Sequence, residues 1–210
     1  MTPAALAWLV LLASAGPSSG PATAAPAAVE RRLGELVRAG DALAFASCGE
    51  SAAAAVDADP VHALAPLVRE LNGGSDGGAF LDADMAREPD GRWGIRRLHR
   101  IYRDGPRCRE RLGEFVLRAA GDAAGWTLEA TRRYVTIRRP GQRAAFYRYR
   151  PFAAADRAWT FSASGDAGPV LVVLRAAPCA LASTGLRSTW SLEFTLAGTR
   201  YIGCAWSGQP

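Results

Sequence analysis

Thr189-Trp-Ser-Leu-Glu-Phe-Thr-Leu196 decides the fold class of this chain. Trp190, Leu192, Phe194 and Leu196 fall on one side of an extended backbone, with Ser191, Glu193 and Thr195 on the other. A period of two marks a strand with one face on a core and the other in water. Ala197-Gly198 then supplies a turn, and Tyr201-Ile-Gly-Cys-Ala-Trp206 belongs to the last strand.

Outward from there, strand-like runs recur at 114–119, 126–131, 134–138, 144–150, 159–163 and 170–175, punctuated by Gly121, Gly125, Pro140-Gly141, Pro151, Gly165 and Pro178. Short strands with regular turn signals predict a small antiparallel barrel or sandwich over residues 111–210. Upstream, strands are predicted at 30–38, 41–47 and 52–56. Asp59-Pro60 then supplies a helix cap and a first-turn proline. Val61, Leu64, Leu67, Val68 and Leu71 share one helical face, which ends at Asn72-Gly73-Gly74. Pro66 falls inside this run and costs about 3 kcal/mol in a helix interior, so the helix is expected to kink or to begin near Ala65. Two further strands, 80–87 and 93–103, are joined by a Pro89-Asp-Gly91 turn. Three strands, a helix and two strands is the order of an OB-like five-stranded barrel, expected over 29–110.

At 49% hydrophobic and 21% charged, the 210 residues have an ordinary globular composition. All 25 basic residues are arginine, so arginine fills every basic position and its abundance alone is weak evidence for anion binding. Residues 3–12 are an apolar run followed by Ala13-Ser-Ala15. Ten residues are too few for a membrane-spanning helix, which needs about 20. They read as a signal peptide over 1–24, cleaved after Ala15 or Ala24, with a linker at 25–28. No cysteine precedes Cys48, so no lipidation site is expected at the mature end. The expected product is soluble, in the periplasm or secreted. Export makes Cys48, Cys108, Cys179 and Cys204 an oxidised set. Of three pairings, Cys48 with Cys108 and Cys179 with Cys204 would keep each bridge within one half of the chain.

Gly121-Asp-Ala-Ala-Gly-Trp126, Cys179, the strand at Trp190, Gly198 and Gly203-Cys204-Ala205 together resemble a family of bacterial envelope proteins, often lipoproteins, whose small barrel is like that of META-type heat-shock lipoproteins. Phe45-Ala-Ser-Cys48-Gly49 is similar to the OB-like domain of copper-homeostasis and adhesion lipoproteins of the outer membrane. The resemblance implies an OB-like domain followed by a META-like β domain, and a compartment rather than an activity. Two departures stand out. The family's Glu-Pro is Ala123-Ala124 here, and its Asp-Gly-Met-Ser after the first cysteine is replaced by Ala180-Leu-Ala-Ser-Thr-Gly-Leu186.

Chemistry is thinly signalled. His62 and His99 lack a converging ligand set, and no metal or cofactor is expected. No Gly-x-Ser-x-Gly surrounds Ser162, Ser164 or Ser183, so no catalytic residue is assigned. Asp57-Ala-Asp59 and Asp82-Ala-Asp84 lack the glycine and distal glutamate of a calcium loop. Trp126, Trp159, Trp190 and Trp206 are expected as core or rim anchors.

Charge distribution carries the functional signal. Residues 1–91 hold 5 arginines and 12 acids, residues 92–150 hold 16 and 5, and residues 151–210 hold 4 and 3. Strand periodicity puts Tyr134, Thr136 and Arg138 on one face of their strand, and Phe146, Arg148 and Arg150 on one face of the next. A hairpin could bring Arg138, Arg148 and Arg150 together as a contact for anionic headgroups or an acidic partner. The competing expectation is that the basic middle pairs with the acidic first third. The function expected is a non-catalytic exported module binding an envelope component or a periplasmic protein, with peripheral membrane contact and no nucleic acid partner. The alternative is an inhibitor of a periplasmic or host hydrolase, like small lysozyme inhibitors, plugging a cleft with a loop over 179–188. An enzyme of unknown type ranks third.

Overall fold

The computed structural model describes residues 28–39, 42–50, 53–56, 64–75, 77–122 and 125–208. The stretch expected as a signal peptide, the expected cap at Asp59-Pro60, Asp57, Val61, His62 and Ala123-Ala124 lie outside these residues. The fold is mainly β, with two antiparallel sheets.

The first sheet starts from β1 (Glu30–Ala39), β2 (Ala42–Ser47) and β3 (Ala53–Ala55). It continues through α1 (Leu64–Leu71) to β4 (Gly78–Arg87) and β5 (Trp93–Tyr102). The strand order is β3-β2-β1-β4-β5. Val56, just past β3, makes an isolated parallel bridge to Trp93 at the start of β5, so the two ends of this run meet. Leu64, Val68 and Leu71 of α1 are buried with Leu36, Phe45, Leu81 and Ile101. Leu64 is the first described residue of this helix, and Pro66 lies two residues after it; the expected start near Asp59-Pro60 falls outside the described residues.

Two register shifts interrupt β4–β5, at Asp82/Ala83 and Asp84/Met85. They break the alternation of β5, and every residue from Leu98 to Tyr102 is buried.

Two 3-10 turns, Arg107–Arg109 and Leu112–Glu114, lead into the second sheet. Its first strands are β6 (Leu117–Ala120), β7 (Thr127–Ala130), β8 (Tyr134–Arg138) and β9 (Ala145–Arg148). Next come β10 (Ala153–Ala155), β11 (Ala158–Gly165) and β12 (Gly168–Arg175). After an excursion through β13 (Cys179–Leu181) and β14 (Leu186–Ser188), the chain returns as β15 (Trp190–Leu196) and β16 (Thr199–Ser207). The order is β10-β11-β12-β15-β16-β6-β7-β8-β9, a meander whose last strand pairs with its first. The sheet curls until β9 meets the β11–β12 turn, where the Tyr147 hydroxyl donates to the Gly168 carbonyl at 3.2 Å. Trp126, Leu128, Ile137, Val172 and Phe194 fill the inside of this barrel-like sheet.

The segment expected to protrude as a cleft-plugging loop does not do so. β13 and β14 form a hairpin that joins the first sheet, with Arg187 opposite Ile101 and Ser188 opposite Arg100. Leu181 and Leu186 pack against Phe80, Tyr102 and Cys204 in a third core between the two sheets. Burying those two leucines is the physical reason the segment docks, since a free loop would leave them in water. Asp122, in the β6–β7 turn, caps the hairpin: its carboxylate accepts from the Ala182 amide at 2.6 Å, from the Ser183 amide and from the Ser183 hydroxyl. The Ser183 hydroxyl bond holds the Asp122 carboxyl below its ordinary value, with the Ala182 and Ser183 amides adding to it. A depressed folded pKa means stability that is present above the unfolded value and lost as pH falls through the folded one. The Ala182 and Ser183 amides should therefore keep hydrogen-exchange protection through the ordinary Asp value of about 3.9 and lose it only as pH falls through the lower folded one, and in Asp122→Ala they should be unprotected at every pH. Unchanged protection in that variant would rule out the cap.

Both disulfides border this seam. Cys48 bonds Cys108 and Cys179 bonds Cys204, with sequence separations of 60 and 25. In a chain-entropy model they contribute about 4 and 3.5 kcal/mol.

Candidate functional site

Besides exposed local pairs such as Arg96–Glu88 and Arg111–Glu114, the basic middle of the chain holds two populations of arginine. One is spent internally, in a charge chain across the seam. Arg31 uses all its donors: Nε and Nη2 bond Asp82 at 2.7 and 2.8 Å, Nη1 reaches the Gly208 carbonyl at 2.7 Å and the Ser207 hydroxyl, and Nη2 also bonds the Ser207 carbonyl. Asp82 accepts from Arg100 Nε at 3.1 Å. Arg100 in turn bonds Glu110, which accepts from Arg118 Nη1 at 3.0 Å and from the Trp206 indole at 3.2 Å. Arg118 Nε ends the chain on Glu129 at 2.8 Å. Asp82 and the Glu110 side chain are wholly buried and Arg100 is 1% exposed. Arg100 also lies over the Trp206 ring at 4.7 Å. Arg107 pairs with Glu35. For Arg100 and Arg107, the competing expectation describes what the fold does. Beside the chain, burial pushes the Tyr102 phenol up to about 12, and its oxygen accepts from the Arg107 amide at 2.9 Å.

The second population is unspent. Among the described residues, Arg132, Arg133, Arg138, Arg139, Arg143, Arg148 and Arg150 have no carboxylate partner within 4 Å, and neither do Arg97 and Arg109. The first seven belong to the β8–β9 hairpin and its flanks. Tyr134 lies opposite Arg148, and Thr136 opposite Phe146. Tyr134 and Phe146 are 53% and 58% exposed, so this is the outer face of the barrel. Arg138, Arg148 and Tyr134 share that face, but the three arginines do not cluster. Arg138 is four residues along β8 from Tyr134, about 13 Å at the rise of a strand, while Arg150 lies beyond the other end of β9. The antiparallel register sets this spacing and yields a ridge rather than a point site. One end of the ridge adjoins a groove of about 920 Å³ at the seam, lined by Phe115, Val116, Thr131, Arg132 and Arg133 among others.

The sequence matches no family model, and no curated protein or solved structure matches it.

The remaining candidates resolve into structure. His99 Nε2 lies 2.8 Å from Asp84 on the bulged part of β5. Asp82 and Asp84 therefore serve Arg31, Arg100 and His99. Among the described residues no three metal-ligating side chains converge. Ser162 and Ser164 are exposed on β11, and Ser183 is held by Asp122. The residues behind the resemblance form a packing unit. A Cβ on Gly121 would sit 2.4 Å from Trp126 Nε1, and one on Gly203 would sit 2.7 Å from the same indole. Trp126 meets Phe194 edge-on at 4.8 Å. Trp159 and Trp190 pair at 4.8 Å as half-buried rim residues. Sequence reasoning missed the Asp122 cap and the Glu110 junction. A lone acid in a turn carries no local signal of its distant partner.

Proposed function

We propose that the protein is an exported, non-catalytic module of the bacterial envelope, an OB-like barrel followed by a META-like barrel, that binds an anionic envelope component through the β8–β9 face. The OB-like assignment draws on the β3-β2-β1-β4-β5 order, with the Val56–Trp93 bridge joining its ends and α1 between the third and fourth strands. The META-like assignment draws on the closing meander of the second sheet and its disulfide to β13. Two disulfides suit an oxidising compartment.

The observation that carries the binding proposal is the contrast between the two arginine populations. Seam arginines are matched one for one by carboxylates, whereas seven around β8–β9 have none, in a stretch that also carries exposed Tyr134 and Phe146. Solvent-facing cations near a membrane contribute about 1 kcal/mol each toward anionic surfaces. Arg138→Ala, Arg148→Ala and Arg150→Ala combined should lower partitioning onto phosphatidylglycerol vesicles roughly 100-fold. For the wild type, binding should weaken steeply as salt shortens the screening length from about 10 Å at 0.1 M to about 3 Å at 1 M. Vesicle sedimentation at both salts reads this directly, and equal binding by the triple variant would end the proposal. An inhibitor would need a projecting loop other than the β13–β14 hairpin, which is docked along β5.

A further inference from the structure

The end of the barrel beside the β8–β9 turn holds a second, more selective feature. A cavity of about 380 Å³ opens there between that turn and the β11–β12 turn, lined by Arg139, Gln142, Arg143, Phe146 and Asp166 among others. This is near the lower end of small-molecule sites, roughly 300–1,000 Å³, which favour barrel mouths. Arg139 is half-buried. Its Nη1 donates to the Tyr201 hydroxyl at 3.2 Å, and its Nε is buried with no partner among the described residues. Asp166 lines the same space, yet no ion pair within 4 Å joins it to Arg139 or Arg143 among the described residues. Opposite charges that share one small cavity without pairing leave their hydrogen-bonding capacity directed at something else. Exposed Phe146 adds an apolar ring at the lip.

We propose that this mouth binds one pyranose unit carrying a single negative charge, a phosphate or a carboxylate. Two arginines against one aspartate leave a net charge of +1 to match it. The guanidiniums of Arg139 and Arg143 donate to the anion in a planar fork geometry. Asp166 can only accept, which suits sugar hydroxyls and disfavours a bare anion. The Gln142 amide can serve ring or hydroxyl oxygens, and the C–H face of the sugar packs on Phe146. The inference rests on the envelope-binding proposal and narrows its ligand to an acidic or phosphorylated sugar.

The test is calorimetric titration of the full protein with glucuronate, glucose 6-phosphate, glucose and inorganic phosphate. Either or both anionic sugars should bind, and their two arms separate a carboxylate source from a phosphate source. Glucose and phosphate should bind at least about tenfold more weakly, since each lacks one half of the recognition. Arg143→Ala and Asp166→Asn should each weaken the preferred sugar by about tenfold. Arg148→Ala with Arg150→Ala should leave sugar binding unchanged while reducing vesicle binding. Tighter binding by Asp166→Asn, or phosphate binding as well as the sugar phosphate does, would reduce the mouth to a simple anion site and overturn the proposal. Silence from every sugar while vesicles still bind overturns the sugar site alone. Loss of vesicle binding by the wild type at low salt overturns the broader function instead.

Discussion

Asp82→Ala is expected to cost about 3–5 kcal/mol of unfolding free energy and to lower Tm by roughly 10 °C. Asp82 is wholly buried and accepts three charge-assisted bonds, two from Arg31 and one from Arg100. Removing it leaves Arg100, 1% exposed, with Glu110 as its remaining carboxylate, and Arg31 with backbone carbonyls and a hydroxyl. An uncompensated buried charge is far costlier than the ion pair was favourable. The damage should spread to both sheets, because Arg31 ties β1 to the end of β16 and Arg100 ties β5 to the segment before β6. Urea unfolding followed separately by tryptophan fluorescence and far-UV circular dichroism should show one shared, shifted transition. Replacing Asp82 and Arg100 together by leucine should recover part of the loss, since apolar substitutes for a whole buried pair are often neutral. A loss under about 1 kcal/mol for Asp82→Ala would mean that water reaches the seam and solvates the stranded arginines.

Gly203→Ala is expected to destabilise by about 3 kcal/mol or more. A Cβ there would stand 2.0 Å from the Ala120 carbonyl oxygen and 2.7 Å from Trp126. The oxygen belongs to the backbone of β6, which pairs with β16 one residue away at Cys204. It cannot move without opening the pairing that closes the meander. The indole cannot retreat either, because Phe194 backs it. Gly113 is the control. Nothing lies within 4 Å of its ideal Cβ, so Gly113→Ala should stay within about 0.5 kcal/mol of wild type. Thermal unfolding of the two variants side by side checks this, and equal stability would show that β16 can slide away from β6.

Much of the architecture was legible because it is written in short-range periodicity. The alternation at Trp190–Leu196 marks a strand whose inward residues Leu192, Phe194 and Leu196 are buried. The predicted strand at 134–138 coincides with β8, and the predicted apolar helical face recurs in α1, where Leu64, Val68 and Leu71 are buried. The outward-facing Tyr134 and Arg148 could also be read, because side-chain alternation needs only the local backbone. What escaped was whatever depends on partners far along the chain. Residues 179–188 are expected from sequence as a protruding loop, yet Leu181 and Leu186 find their burial against Phe80 and Tyr102 of the other sheet. Arg100 sits in a basic stretch that promises a wet face. Two bulges in β4–β5 turn it inward, where Asp82 and Glu110 make burial tolerable.

The sequence by itself determined a β-rich chain, the alternating faces of its strands, its short helix, and four cysteines suited to an oxidising compartment. Only the tertiary structure decided which arginines are spent and which are free. Composition counts charges, whereas ion pairing depends on which carboxylate arrives within about 4 Å. Register and docking set that distance: three arginines of the seam are matched by three acids, while the β8–β9 hairpin is left with cations that no described carboxylate meets.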